Sequence, residues 1–157
     1  AVERTARELH ELTGEAEPRR LQGEESERWW TEPAAGADVA VRASLPPSAV
    51  VDFLERFARS ARDVNADVTS RAYPPTGLVL ARLRASDADR TVRVVEEARR
   101  AAVQAGGSLV VTSAPVEVKE RVDIWGDPGS ALPLMRRLKQ QFDPNGTLNP
   151  GRFVGGL

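Results

Sequence analysis

The chain has 157 residues, a formal net charge of −1, 41% hydrophobic residues and 29% charged residues, which is the balance of an ordinary globular domain. The near-zero charge gives no electrostatic case for binding nucleic acid or an anionic membrane. The chain has no cysteine, which excludes disulfides, iron–sulfur ligation and thiolate zinc sites and fits a cytoplasmic location. No apolar run approaches the roughly 20 residues of a transmembrane helix, so we expect no membrane span.

The N-terminal segment, residues 1–36, is predicted to be helical and to end in a linker. Apolar residues at helical spacing predict a helix over residues 1–13, which carries the single histidine, His10. We interpret His10 as a surface histidine on a mixed-charge helix rather than as a catalytic base. A second short helix is predicted around the adjacent Trp29 and Trp30, which cannot both face inward. Proline, glycine and alanine then predict the linker.

The middle of the chain, residues 37–113, alternates between strand and helix patterns in the order β-α-β-β-α-β. This is the order of the split-βαβ, ferredoxin-like fold. Because both crossovers are right-handed, two helices lie on one face of a four-stranded antiparallel sheet. The predicted fold class is therefore α+β, with additional N- and C-terminal helices. Ser86 is the predicted N-cap of the second core helix, which Gly106 and Gly107 end.

The last segment, residues 114–157, is predicted to contain an amphipathic helix and a stiff tail. Apolar residues recur along one side of the helix: Ala131, Leu134, Met135, Leu138 and Phe142. Two turn signals, DPNG and LNPG, follow it. Asn149 precedes Pro150 and is therefore predicted to be extended, with its amide projecting. Such a tail either docks on a partner at low entropic cost or packs back on its own sheet.

Two further kinds of site find little support in the sequence. Asp123 and Asp127 flank Trp125, but nothing makes several oxygens converge there, so we predict turn capping and no metal site. A phosphate cradle needs clustered glycines, and the chain has glycine pairs only at 106–107 and 155–156. We therefore expect no nucleotide site within this chain.

The final residues closely resemble the C-terminus of FAD-linked oxidases of the vanillyl-alcohol-oxidase type. Those proteins end in a helix followed by the pattern F-D-P-x-G-x-x-N-P-G-[KR]. Here the pattern begins at Phe142 and ends at Arg152 with no position missing. The arginine in place of lysine, the preceding MRRLKQQ and the upstream DIWG are most similar to the FAD-binding subunit of bacterial glycolate oxidase. The pattern of residues 37–113 also resembles the cap domain of this family.

The resemblance implies that the chain is the cap, or substrate-side domain, of an FAD-dependent 2-hydroxy-acid oxidoreductase. FAD is then the cofactor of the full-length protein. We expect the FAD-binding domain to be missing from this chain, which by itself would be inactive and would not hold FAD. Residues 1–36 would lead into a cap core at 37–113, and residues 114–157 would dock on the FAD-binding domain. The likeness to glycolate oxidase further implies a second flavoprotein subunit and an iron–sulfur subunit as partners.

The resemblance places Asn149 and Arg152 beside the cofactor and leaves the catalytic residues unassigned. Arg71, Tyr73 and Arg82 lie on or beside the central strands and are candidates for a substrate-facing surface, with strand-end packing as the alternative for Tyr73. The rival hypothesis is a freestanding ferredoxin-like module that binds a ligand or dimerises through its sheet, without catalysis. That hypothesis predicts an apolar outer sheet face, whereas arginines on exposed strand positions favour the oxidoreductase.

Overall fold

The computed structural model describes residues 22–31 and 39–157 of a chain that divides into two compact units, Ala1–Ala35 and Gly36–Leu157. In the first unit the described element is helix α1, Gly23–Thr31, which confirms the short helix predicted around the tryptophan pair. The helix predicted over residues 1–13, with His10, lies outside the described residues, and so do most of the linker and the side chains of Trp29 and Trp30.

The second unit contains a four-stranded antiparallel sheet with the strand order β2-β3-β1-β4, in which every neighbouring pair is antiparallel. This confirms the α+β fold class and the predicted ferredoxin-like order. The elements along the chain are β1 (Val39–Ser44), α2 (Val50–Arg62), β2 (Asp67–Tyr73), β3 (Leu78–Arg84), α3 (Ala88–Gln104), β4 (Ser108–Ser113), α4 (Val116–Lys119) and α5 (Leu132–Phe142).

The hydrophobic core lies between one face of the sheet and the paired helices α2 and α3. Alternate strand residues point into it because side chains of a strand alternate between the two faces. The largest fully buried side chains come from both layers: Phe53, Phe57, Leu83, Leu109, Val39, Val50, Val79, Val94 and Val95. The core is therefore complete within this unit, and the opposite sheet face is left for other contacts.

Local signals fix the joints of this core. Gly77 has a φ of +67°, and a Cβ there would lie 1.7 Å from the Leu45 carbonyl oxygen, so the β2–β3 turn requires glycine. The N-cap of α3 is Asp87, whose Oδ1 accepts a hydrogen bond of 2.8 Å from the Arg90 N–H. The prediction of Ser86 as this cap was wrong by one residue. The Ser86 hydroxyl instead donates to the Asp87 carboxylate, whose other oxygen accepts from the helix N-terminus.

The C-terminal arm, residues 132–157, is built differently from the core. Helix α5 confirms the predicted amphipathic helix, yet within the described residues it contributes no buried side chain. Leu134, Leu138 and Phe142 are 53%, 47% and 76% exposed. Of the helices that the structure describes, none combines the length and the apolarity that crossing a bilayer requires.

Candidate functional site

The turn after α5 is organised by one buried carboxylate. Asp143, 7% exposed, stops the helix, and its two oxygens accept hydrogen bonds from the backbone N–H groups of Thr147 and Leu148, each at 2.9 Å. The Lys139 ammonium lies 2.5 Å from Asp143 Oδ2. These partners hold the pKa of Asp143 well below its ordinary value, the Lys139 hydrogen bond first and the Leu148 N–H second. The carboxylate is therefore charged at neutral pH and fixes the course of the tail.

The hook, residues 149–152, follows this turn and is exposed throughout. Asn149 has a φ of +45°, so the prediction of an extended residue before proline was wrong. Asparagine tolerates the left-handed region better than other residues with a side chain, and that region avoids the helical conformation which proline disfavours. The hook closes on itself as Arg152 N–H donates to the Asn149 carbonyl oxygen at 3.1 Å. Asn149 and Arg152 thus lie together on a compact turn.

An open groove of about 610 Å³ lies beside the hook. It is lined by Trp125, by one side of α5 and by the tail: Met135, Leu138, Lys139, Phe142, Leu148, Asn149, Arg152, Phe153 and Leu157. Trp125 and Phe153 meet edge to face with ring centroids 5.0 Å apart, and the Trp125 indole N–H donates to the Arg152 carbonyl oxygen at 3.2 Å. Trp125 therefore packs within the chain and anchors the far end of the hook.

The outer sheet face, opposite the helices, gathers the other predicted site residues. The register places Arg71 and Tyr73 of β2 opposite Leu80 and Leu78 of β3, with all four on this face. Arg82 lies two residues beyond Leu80 on the same strand, so it is a diagonal neighbour of Arg71. Arg71, Tyr73 and Arg82 are half-buried. The structure thus places these three on one sheet face, with Arg71 between Tyr73 and the position of Arg82, and brings Asn149 and Arg152 together on the hook.

Sequence reasoning missed two contributors to these surfaces. Arg42 of β1 is exposed on the outer sheet face opposite Leu80, and strand alternation alone was enough to place it there. Asp67, opposite Arg84, is the only acid that the four described strands present on this face. The face is therefore basic.

The second contributor that sequence reasoning missed is the pair of Lys139 and Asp143 at the end of helix α5. Their i, i+4 spacing on a helix was the available signal.

The acidic residues near Trp125 cap turns, as predicted. Asp123 Oδ1 accepts from the Trp125 N–H at 2.9 Å, and Asp127 Oδ1 accepts from the Gly129 N–H at 2.8 Å. Among residues 22–31 and 39–157, no three His, Asp or Glu side chains lie close enough to hold a metal ion.

The described glycine pairs do not fit a pyrophosphate. A Cβ on Gly107 would lie 2.3 Å from the Ser44 carbonyl oxygen, so Gly107 packs against the chain's own backbone. Gly155 is next to the Leu132 side chain, 2.5 Å from a Cβ built on it. The N–H groups of Gly106, Gly107 and Gly156 donate to carbonyl oxygens of the chain itself, whereas a dinucleotide cradle needs N–H groups that are free for phosphate oxygens. The described residues therefore do not provide a phosphate cradle for FAD.

Comparison with known proteins gives a family match that overlaps the C-terminal arm. Residues 127–153 match the family model described as FAD linked oxidases, C-terminal domain. Two uncharacterized FAD-linked oxidoreductases of Mycobacterium tuberculosis, MT2338 of strain CDC 1551 / Oshkosh and Rv2280 of strain ATCC 25618 / H37Rv, are each 24% identical over 127 residues. The match covers 81% of this chain and 28% of each relative, so the chain spans less than a third of their length. Together these similarities support an FAD-linked oxidase C-terminal domain in this chain.

Proposed function

We propose that this chain is the cap domain of an FAD-dependent oxidoreductase of the vanillyl-alcohol-oxidase type. Its substrates are 2-hydroxy acids, as for the similar FAD-binding subunit of glycolate oxidase. The FAD-binding domain is supplied by a polypeptide region outside this chain. The observation that carries the proposal is the C-terminal arm, which matches the FAD-linked oxidase model and presents an open apolar groove beside its hook.

The arm presents apolar surface that favours a partner. Burying a leucine or phenylalanine side chain contributes about 1.5–3 kcal/mol, and Leu134, Leu138 and Phe142 remain largely in water. A helix of 11 residues with no buried side chain is marginal on its own. A partner surface that covers these three side chains would therefore stabilise helix α5, and the same burial would contribute to the affinity between the two domains. We assign that surface to the FAD-binding domain, with Asn149 and Arg152 on the cofactor side of the junction.

The outer sheet face supports an anionic substrate. A guanidinium binds a carboxylate through two parallel N–H···O bonds, and Arg71 and Arg82 are diagonal neighbours on this face. Tyr73, two residues beyond Arg71 on β2, adds a hydroxyl group on the same face. FAD, bound in its own domain, would supply the hydride-accepting chemistry for oxidation at the α-carbon. The role of this chain is then to hold the substrate carboxylate and to keep water from the junction.

We also propose a cytoplasmic location and, by likeness to glycolate oxidase, a second flavoprotein subunit and an iron–sulfur subunit as partners.

The rival function, dimerisation through the sheet, is disfavoured by the charge of that face. In a two-fold dimer the same patch meets itself, so the arginines of one copy would face those of the other. Arg42, Arg82 and Arg84 all lie on this face, and Asp67 is the one acid that the described strand residues place there. Sedimentation of the purified chain tests this point. We expect a monomer, and a dimer that dissociates on substitution of Leu80 would favour the rival.

The first test of the proposal concerns the cofactor. Purified by itself, the 157-residue chain should be colourless after addition of FAD and desalting, since the N–H groups of Gly106, Gly107 and Gly156 already donate to the chain's own carbonyl oxygens. A yellow preparation with the flavin spectrum would contradict the proposal that FAD is bound by a domain outside this chain.

The second test concerns the substrate class and uses the flavoenzyme that contains this chain together with its FAD-binding domain. Anaerobic mixing with glycolate or lactate should bleach the flavin, whereas glycolamide and ethylene glycol, which lack the carboxylate, should do so at least about a hundredfold less efficiently. Arg82→Gln should lower kcat/KM for the acids by more than about tenfold. Arg62→Gln, at the end of α2 on the other side of the sheet, is the matched control and should change nothing. Equal reduction by the neutral alcohols would overturn the assignment.

A further inference from the structure

The turn between α5 and the hook contains a closed set of polar contacts. Asp143 Oδ1 accepts from Thr147 twice, from its N–H at 2.9 Å and from its hydroxyl at 3.1 Å. Asp143 Oδ2 accepts from the Leu148 N–H at 2.9 Å and pairs with the Lys139 ammonium at 2.5 Å. The same ammonium donates to the Leu148 carbonyl oxygen at 2.6 Å. Both backbone groups of Leu148 are thereby held by one ion pair.

This arrangement, which we call the tail clamp (Lys139, Asp143, Thr147), acts on the residue directly before the hook. Leu148 precedes Asn149, whose left-handed backbone, with a φ of +45°, is less favourable than ordinary conformations for a residue with a side chain. Because the carbonyl and N–H groups of Leu148 are both held by hydrogen bonds, the orientation of the backbone leading into Asn149 is fixed. The Leu148 side chain, 62% exposed, adds no burial that would do this instead.

The clamp is separate from the core that stabilises the fold. Its residues lie at the end of helix α5 and in the turn after it, and α5 contributes no side chain to the buried interior of the described unit. The fold therefore does not require the clamp. Preorganisation of a binding segment gains affinity because less conformational entropy is lost when the segment docks.

We propose that Asp143, acting through Lys139 and Thr147, is a positioning residue that presets the hook for docking against the flavin-carrying domain. This inference rests on the proposed function. Asp143 touches neither substrate nor cofactor in this assignment. It acts by keeping Asn149 and Arg152 in the docking geometry before the two domains meet.

The test compares four single variants. Asp143→Asn replaces one accepting oxygen by an amide NH₂ and removes the ion pair. Thr147→Ser is the conservative variant that keeps the hydroxyl donor, and Thr147→Val removes it. Asp127→Asn is the matched control, since Asp127 also caps a turn through a carboxylate oxygen but lies outside the arm.

Hydrogen exchange in the 157-residue chain is the first readout. Asp143→Asn should accelerate exchange of the Thr147 and Leu148 amides by at least about tenfold, Thr147→Val by less, and Thr147→Ser and Asp127→Asn should leave it unchanged. The thermal unfolding of the core should be the same for all variants. An unchanged exchange rate in Asp143→Asn would overturn the inference.

Flavin retention in the FAD-containing enzyme is the second readout, and a merely structural role would not change it. Asp143→Asn should release flavin on dilution at least about tenfold faster than wild type, with Thr147→Ser close to wild type. If Asp143→Asn accelerates amide exchange but retains flavin like wild type, the positioning role is overturned and the proposed function stands. If the wild-type enzyme retains no flavin, the proposed function fails and the inference fails with it.

Discussion

Helices α2 and α5 have the same kind of sequence and opposite environments. Each follows prolines, each has an apolar stripe at helical spacing, and they are 13 and 11 residues long. Helix α2 buries Val50, Phe53, Phe57 and Ala61 under the sheet, whereas α5 buries no side chain within the described residues. An amphipathic pattern therefore specifies a helix and a face that gains by being covered. The pattern does not specify which part of the chain or which partner domain covers that face.

The most direct way to break this comparison is to remove one phenylalanine from each helix. Phe57 is 1% exposed, so Phe57→Ala should leave a cavity and lower the free energy of unfolding by about 4 kcal/mol. Phe142 is 76% exposed, so Phe142→Ala should change it by less than about 0.5 kcal/mol. Urea denaturation of the chain measures both. Similar decreases in the free energy of unfolding in the two variants would show that the arm packs as part of the hydrophobic core.

A pair of glycines makes the same comparison for the backbone. Gly77 and Gly151 have nearly equal φ values, +67° and +69°, but a Cβ on Gly77 would clash with Leu45 and one on Gly151 meets nothing within 4 Å. Gly77→Ala should therefore cost about 3 kcal/mol of global stability, from left-handed strain together with the clash. Gly151→Ala should strain the hook by about 1 kcal/mol and leave the unfolding midpoint almost unchanged. A large loss in Gly151→Ala would contradict the independence of the arm.

The core was predictable because its signals are local and mutually consistent. Strand alternation, helical stripes and the glycines at 77 and 106 each agree with a single strand order, so the split-βαβ topology followed from the sequence. The errors occur at the junctions. Asp87 rather than Ser86 caps α3, and two adjacent capping residues differ too little in propensity for the sequence to decide between them.

The candidate site was predictable only in part, for a physical reason. The motif at the C-terminus located Asn149 and Arg152, but a residue before proline has more than one allowed backbone region, and the choice at Asn149 follows the contacts of Leu148. One of those contacts is the hydrogen bond from the Lys139 ammonium to the Leu148 carbonyl oxygen, which forms across the turn between residues nine apart in the sequence. Arg42 was missed although strand alternation was enough to place it on the outer sheet face, and its relation to Arg71 and Arg82 required the strand register.

The comparison between arm and core is sharpened by placing a charge in the groove. Leu138→Glu should leave the unfolding of the chain unchanged because the side chain is half-exposed already. In the FAD-containing enzyme it should weaken docking of the cap by about 2 kcal/mol, or roughly thirtyfold in affinity, seen as faster flavin loss. Val103→Glu is the matched control, since Val103 is an exposed apolar residue of core helix α3. If both variants retain flavin equally, the groove does not contact the FAD-binding domain.

The smallest expected effect is the response of the arm to pH, which depends on Asp143. The Lys139 ammonium, followed by the Leu148 and Thr147 N–H groups, lowers the pKa of this carboxyl in the folded chain. A lowered folded pKa means that the clamp contributes fully above the unfolded value of about 3.9 and is lost only as pH falls through the folded value. The amide chemical shifts of Thr147 and Leu148 should therefore show no midpoint near pH 4. Lys139→Met removes the largest cause and should raise the midpoint toward that value, whereas a midpoint near pH 4 in the wild-type chain would mean that the carboxylate is not held by the clamp.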